Sequence, residues 1–145
     1  MPVLPFYQFE LKDKLNSKPQ CFDSFNFLFL LQGTGTIRCR NQLIHLKPHD
    51  FTFFNMYEIH QFLTFSPDAR VLSVLIHKSY IQSAVPELTD MTLNTHTVTP
   101  ESEPERYEFF CQEFGKFIYY HTVHSPGAQL HALSHLGNLL SYILN

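Results

Sequence analysis

The sequence predicts a mainly β protein, an antiparallel sandwich or barrel, followed by a C-terminal helical hairpin. Three observations predict it. From Phe25 to Ile76, short apolar runs alternate at regular intervals with Gly, Pro, Asn and Asp, the spacing of an antiparallel all-β domain. After residue 98 the apolar period lengthens from two residues to between three and four, the helical spacing. The chain has 145 residues, 44% hydrophobic and only 16% charged, enough for one real core and too aromatic, with 15 Phe and 7 Tyr, for a disordered chain.

In chain order, "FYQFEL" alternates and suits an edge strand. "FNFLFLL" is apolar on both faces, as a central strand covered on both sides must be. "QGTG" turns into "TIRCR", "RNQ" turns tightly into "LIHL", and "KPHD" turns into "FTFF". "NMYE" makes a corner before "IHQFLTF", and "SPDA" separates this from "RVLSVLI". "HKSYIQSA" reads as a short helix stopped before Pro86, and "TLNTHTVT" is open between strand and loop.

The helices follow. Ser102 to Glu105, "SEPE", has capping-box spacing, and Tyr107, Phe110, Cys111, Phe114, Phe117, Ile118 and His121 share one face. "SPGA" starts a second helix with Ser125 as cap and Pro126 in the first turn, and its apolar stripe is Leu130, Leu133, Leu136, Gly137, Leu140, Ile143 and Leu144. That stripe still runs at Asn145, so a cut between domains is expected there, with a last helix docked on its own sheet as the alternative. The expected division is 1–98 and 99–145.

Charge and cysteine usage exclude several functions. A formal net charge of −3 without a Lys/Arg cluster gives no footprint for a phosphate backbone, so these residues are not expected to bind DNA. Cys21, Cys39 and Cys111 are odd in number and lack CxxC spacing, which points to a reducing compartment rather than disulfides or zinc. The amino terminus "MPVLPFYQFELKDK" has no basic start followed by a long apolar run, so no secretory leader is expected, and no stretch approaches the ~18 apolar residues of a membrane span. A cytoplasmic protein without membrane contact is expected.

The runs "FDSFNFLFLLQGTGTI" and "LIHLKPHDFTFFNMYEIHQF" resemble the two sequence motifs of cupins, specifically the sensor domains of AraC/XylS-type transcription regulators, over roughly residues 5 to 80. The anchors are Gly33, Gly35, Pro48, Asp50, Asn55 and His60. The resemblance implies a double-stranded β-helix, or jelly roll, over 1–98 that binds an effector, and a hairpin over 99–145 that dimerises. It implies a sugar or other small molecule as effector, a homodimer, and DNA binding only through a C-terminal helix-turn-helix part absent from this chain. Metal-binding cupins place two His and a Glu in the first motif and a His in the second. Here those places hold Gln20, Phe22, Asn26 and His60, so no metal and no cofactor are expected, and no catalytic residue is assigned.

The candidate ligand-binding residues are His60, Asn26, Arg38, Phe22 and Phe62. His60 either hydrogen-bonds a polar ligand or is a core histidine satisfied by a neighbour. Asn26, among apolar residues, needs a partner, which a ligand or the backbone can supply. Arg38 and Arg40 share a face of "TIRCR" opposite Ile37 and Cys39; one reaches into the pocket, or both lie on a solvated face. His131 and His135 have an i, i+4 spacing that suits a transition metal but lack a third ligand, and a solvated or interface face is the competing reading. "QGTGTI" leads into a strand and so is turn chemistry rather than a phosphate loop. The rival functions are a stand-alone cupin enzyme acting on a sugar or small acid, and a binding module without a regulatory role.

Overall fold

The computed structural model describes residues 6–84 and 97–144, in two compact units, Met1–Thr97 and Val98–Asn145. The first unit holds β1 (Tyr7–Lys12), β2 (Ser24–Gln32), β3 (Gly35–Cys39), β4 (Gln42–Leu46), β5 (Phe51–Phe54), β6 (His60–Phe65), β7 (Arg70–His77) and α1 (Lys78–Ala84). A two-residue β8 (Thr97–Val98) lies at the junction of the units. Of the stretch left open between strand and loop it is the part found as strand, and Thr99 follows outside it; 92–96 lie outside the described residues.

One sheet runs β1-β7-β2-β5-β8 and the other β4-β3-β6, and every assigned pair is antiparallel. Their inner faces share one core. Leu28, Leu30, Phe54 and Val71 of the larger sheet pack with Ile37, Cys39, Ile44, Leu46 and Phe62 of the smaller. Alternation puts Phe25 and Phe27 of β2 on the opposite face, where they form a ring cluster with Phe53. From Ser24 to Leu30 only Phe29 is less than buried, so β2 is the central strand covered on both faces that its sequence requires. β1 is the edge strand expected of "FYQFEL".

The turns explain the Gly and Asp anchors. Gly33 has φ +84, the left-handed region, and a Cβ there would meet Ser66 and the Ala69 backbone. Gly35 lies under the ring of Phe65, which a Cβ would strike at 2.2 Å. Asp50 closes the Lys47–Asp50 turn by accepting from the Lys47 amide at 2.9 Å. The turn also places His49 at φ 75, with its ring stacked on Phe29.

The second unit is an antiparallel hairpin of α2 (Pro104–Thr122) and α3 (Pro126–Leu144). Phe109 near the start of α2 stacks on Tyr142 near the end of α3, and Tyr120 near the end of α2 stacks on His131. Phe110, Phe114 and Phe117 are buried, the centre of the expected stripe. Ser125 caps α3 as expected, accepting from the Ala128 amide at 3.2 Å.

Two expectations need correction. Ser102 does not cap α2: the cap position is Glu103, which makes no side-chain cap bond, and Pro104 begins the helix. The Ser102 hydroxyl and amide instead bond Thr99, and Pro104 has no N–H to be capped. The buried face of α3 is also rotated from the expected stripe. Leu136 and Leu140 are buried, but so are Ala128, Ala132 and Leu139, while Leu130 is 71% exposed. Small alanines let the helices approach, which a count of large apolar residues misses.

Candidate functional site

The corner between β5 and β6 builds the site. Glu58 N donates to Asn55 O, and both the backbone and the side-chain amides of Asn55 donate back to Glu58 Oε1, at 3.1 and 3.2 Å. This closed loop forces Tyr57 to φ 62 and delivers His60 into the start of β6. Glu58 is buried, and its Oε2 lies 2.8 Å from Arg40 Nε, close enough to attract by charge though not aligned as a hydrogen bond. The backbone of Gln20 pairs with that of His60 in both directions, at 2.8 and 3.0 Å, and Tyr57 N donates to Phe22 O. Residues 20–22 are thereby strapped beside the histidine.

His60 is 2% exposed. Its ring lies parallel to Phe54 with centroids 4.0 Å apart, and Phe22 and Phe62 stand 5.8 and 5.9 Å away. Nδ1 is 3.2 Å from the Glu58 carbonyl oxygen. A carbonyl only accepts, so Nδ1 carries the proton and Nε2 presents a bare lone pair. Burial pushes the imidazole below its usual 6.5, against the upward pull of the Glu58 carbonyl and charge, so the ring is neutral at neutral pH. Nε2 is buried without a hydrogen-bond partner among the described residues. The site therefore offers one acceptor inside an aromatic box.

The expected residues fall as follows. Phe22, half-buried, and Phe62, buried in the core, belong to the box around His60. Asn26 is buried on the inner face of β2 beside Phe54 in register, and its Oδ1 accepts from Ser73 Oγ at 3.4 Å. Arg38 is exposed on the outer face of β3, opposite Gln61 of β6, while Ile37 and Cys39 face the core. Arg38, Arg40, Asn55, Tyr57, His60 and Gln61 nonetheless line one cavity of about 550 Å³ at the ends of β3 and β6. His131 and His135 belong to the helical unit, where His131 stacks on Tyr120 and His135 Nδ1 lies 2.6 Å from Glu113 Oε2.

Phe54, Glu58 and Cys39 were not among the candidates. The Asn55-x-x-Glu58 spacing is a local signal that can be read as a self-closing corner, whereas nothing local marks Phe54 as the stacking partner. Burial first, and then the charge of Glu58 and a hydrogen bond to it, push the Cys39 thiol up to about 11 despite Arg40 nearby. It stays protonated and unreactive as a nucleophile.

The cupin metal set does not fit these residues. Of the four corresponding positions, Gln20 pairs through its backbone, Phe22 contributes a ring, Asn26 is engaged with Ser73, and only His60 offers a ligand nitrogen. Among the described residues no three His, Cys, Asp or Glu side chains converge as a metal set.

The sequence profile of the AraC-like ligand binding domain matches residues 10–140. The chain belongs to that family. Among solved structures it is similar to the AraC-like transcriptional activator CuxR, with TM-score 0.63 and 8% identity over 86% of this chain and 43% of that one. It is also similar to a cupin superfamily protein from Desulfitobacterium hafniense DCB-2, with TM-score 0.45 and 18% identity over 54% and 73% of the two chains. Procruciferin, an 11S globulin from Brassica napus, has TM-score 0.45 and 16% identity over 52% of this chain and 23% of its own. This chain spans less than half the length of CuxR. No curated protein matches it. The fold is a cupin-like jelly roll followed by helices, and the domain is a ligand-binding one. Among the described residues no helix is long and apolar enough to cross a membrane.

Proposed function

We propose that this chain is the effector-sensing and dimerising domain of a cytoplasmic AraC-type transcription regulator, which binds a sugar or other small polar molecule and acts on DNA through a part outside these residues. One observation carries the reading: the lone pair of His60 Nε2 is buried, unpaired and surrounded by aromatic rings. A buried acceptor without a donor costs about 1–3 kcal/mol, which a ligand hydroxyl or N–H recovers on binding. Pro19, Met56 and Ile59 line the same cavity as His60 and provide apolar surface for the carbon side of such a ligand. Because residues 20–22 and 55–60 are hydrogen-bonded to one another around His60, a ligand on Nε2 favours one arrangement of this region over others. That differential affinity is what a sensor needs; no bond is made or broken.

The test is binding of a panel of pentoses, hexoses, polyols and small amides, followed by calorimetry and thermal shift, to the wild type and to His60→Phe. The phenyl ring keeps the stack on Phe54 and deletes the acceptor. A ligand that stabilises the wild type and not the variant supports the reading. Binding untouched by His60→Phe removes its basis, and chemical conversion of a bound compound, followed by NMR, would replace it with the stand-alone cupin enzyme.

A further inference from the structure

We infer that the cavity at the ends of β3 and β6 takes a monoanionic hydroxy acid, with its carboxylate on Arg38. The inference rests on the ligand-sensing reading of the same site and specifies its ligand class. Among the described residues three formally charged side chains line the cavity: Arg38, Arg40 and Glu58. Two of them cancel, since Arg40 Nε lies 2.8 Å from Glu58 Oε2 and the other oxygen of Glu58 is occupied by both amides of Asn55. Lys78, which touches the lining residue Tyr57, is held by the Tyr57 hydroxyl at 3.0 Å and is not itself among the described lining residues. The side chain of Arg38 has no ion-pair or hydrogen-bond partner among the described residues. It is therefore the one uncompensated cation among the described residues that line the cavity.

A planar guanidinium with its fork unoccupied is suited to bidentate recognition of a carboxylate. One surplus positive charge matches one carboxylate, whereas a phosphate ester, carrying nearly two negative charges at neutral pH, would leave the cavity negative. The remaining polar lining is amide: Asn41, Asn55 and Gln61, groups that both donate to and accept from hydroxyls. The side chain of Gln61 is already positioned, its Nε2 donating to Ser17 O at 2.9 Å. A volume of about 550 Å³ accommodates a molecule of monosaccharide size.

Titration calorimetry with galacturonate, gluconate, galactose, glucose and glucose 6-phosphate on the wild type, Arg38→Gln and His60→Phe decides it. Arg38 is exposed, so its replacement leaves the core untouched, which circular dichroism verifies. The acids are expected to bind at least about tenfold more tightly than the neutral sugars, the worth of one charge-assisted pair, and Arg38→Gln is expected to abolish that preference. Equal affinity for acid and neutral partners, or indifference to Arg38→Gln, overturns the inference. In that case the sensing reading still stands if His60→Phe abolishes neutral binding. A preference for glucose 6-phosphate overturns the carboxylate assignment. Silence of all five probes overturns the inference as well, and the sensing reading falls only if the wider neutral panel is also silent.

Discussion

At the scale of single residues, His60 can be followed by pH and Glu58 by mutation, and both are buried ionisable groups of the site. The imidazole is held below 6.5 by burial, so the folded state resists a proton that the unfolded chain accepts. Its contribution is fully present above 6.5 and is lost as pH falls from there through the lowered folded value, at up to about 1.4 kcal/mol per pH unit. His121, likewise lowered by burial and then by His124, adds a slope of the same sign. His60→Phe is therefore expected to reduce, without abolishing, the loss of stability below pH 6.5, measured by urea unfolding across that range. Glu58 tests the ion pair. Arg40→Ala leaves a carboxylate that is only 5% exposed without its cation. Breaking a buried pair costs about 3–5 kcal/mol, but Arg40 is half exposed and Asn55 still donates to Glu58, so about 2 kcal/mol is expected from denaturant midpoints. The sequence made His60 visible through its motif and Asn55 through the corner. The Arg40–Glu58 pair stayed hidden because Glu58 is brought to Arg40 only by the pairing of β3 with β6.

At the scale of elements, the strands were legible because each is a short run, alternating or apolar on both faces, bounded by a turn with its own chemistry. The short bounds of β5 and the inner face of β3 follow directly from "FTFF" and from Ile37 and Cys39 alternating with Arg38. Helix starts were less so. "SEPE" and "SPGA" both present a serine before a proline, yet only Ser125 caps, because Ser102 is drawn into a turn with Thr99. This difference is testable. Ser125→Ala is expected to cost about 1 kcal/mol, the usual worth of an N-cap, and Ser102→Ala less, when helix loss is followed by circular dichroism during unfolding. Gly35→Ala tests the sheet instead. Its Cβ would collide with the Phe65 ring, and forcing extra volume into a packed site costs about 1–3 kcal/mol. A wild-type denaturation midpoint for Gly35→Ala would show that Phe65 does not pack there.

At the scale of the whole molecule, charge is distributed unevenly. Within Val98–Asn145, Arg106 and Lys116 are outnumbered by Glu101, Glu103, Glu105, Glu108 and Glu113, so the formal charge of −3 belongs to the helical unit. None of these lies on α3, which contains no Asp, Glu, Lys or Arg over its 19 residues. A solvent-facing helix normally carries charge on its outer face. The outer face of α3 instead presents Leu130, His131, Ser134, Asn138 and Ser141 with half-buried Leu133 and Gly137, a surface that costs little to desolvate against a second copy of itself. The proposed dimer should therefore use α3. Sedimentation is expected to give twice the 17.0 kDa chain mass, falling to the monomer with Leu130→Glu, since a two-fold contact would bury that carboxylate against α3 of the second copy. Thermal stability of the wild type should rise with protein concentration and that of the variant should not, because only association makes a melting temperature concentration-dependent. Ligand binding at His60 should survive the substitution, since Leu130 belongs to the other unit. A wild type that sediments at 17.0 kDa at high concentration would assign the uncharged face of α3 to some other role and leave the sensor to act as a monomer.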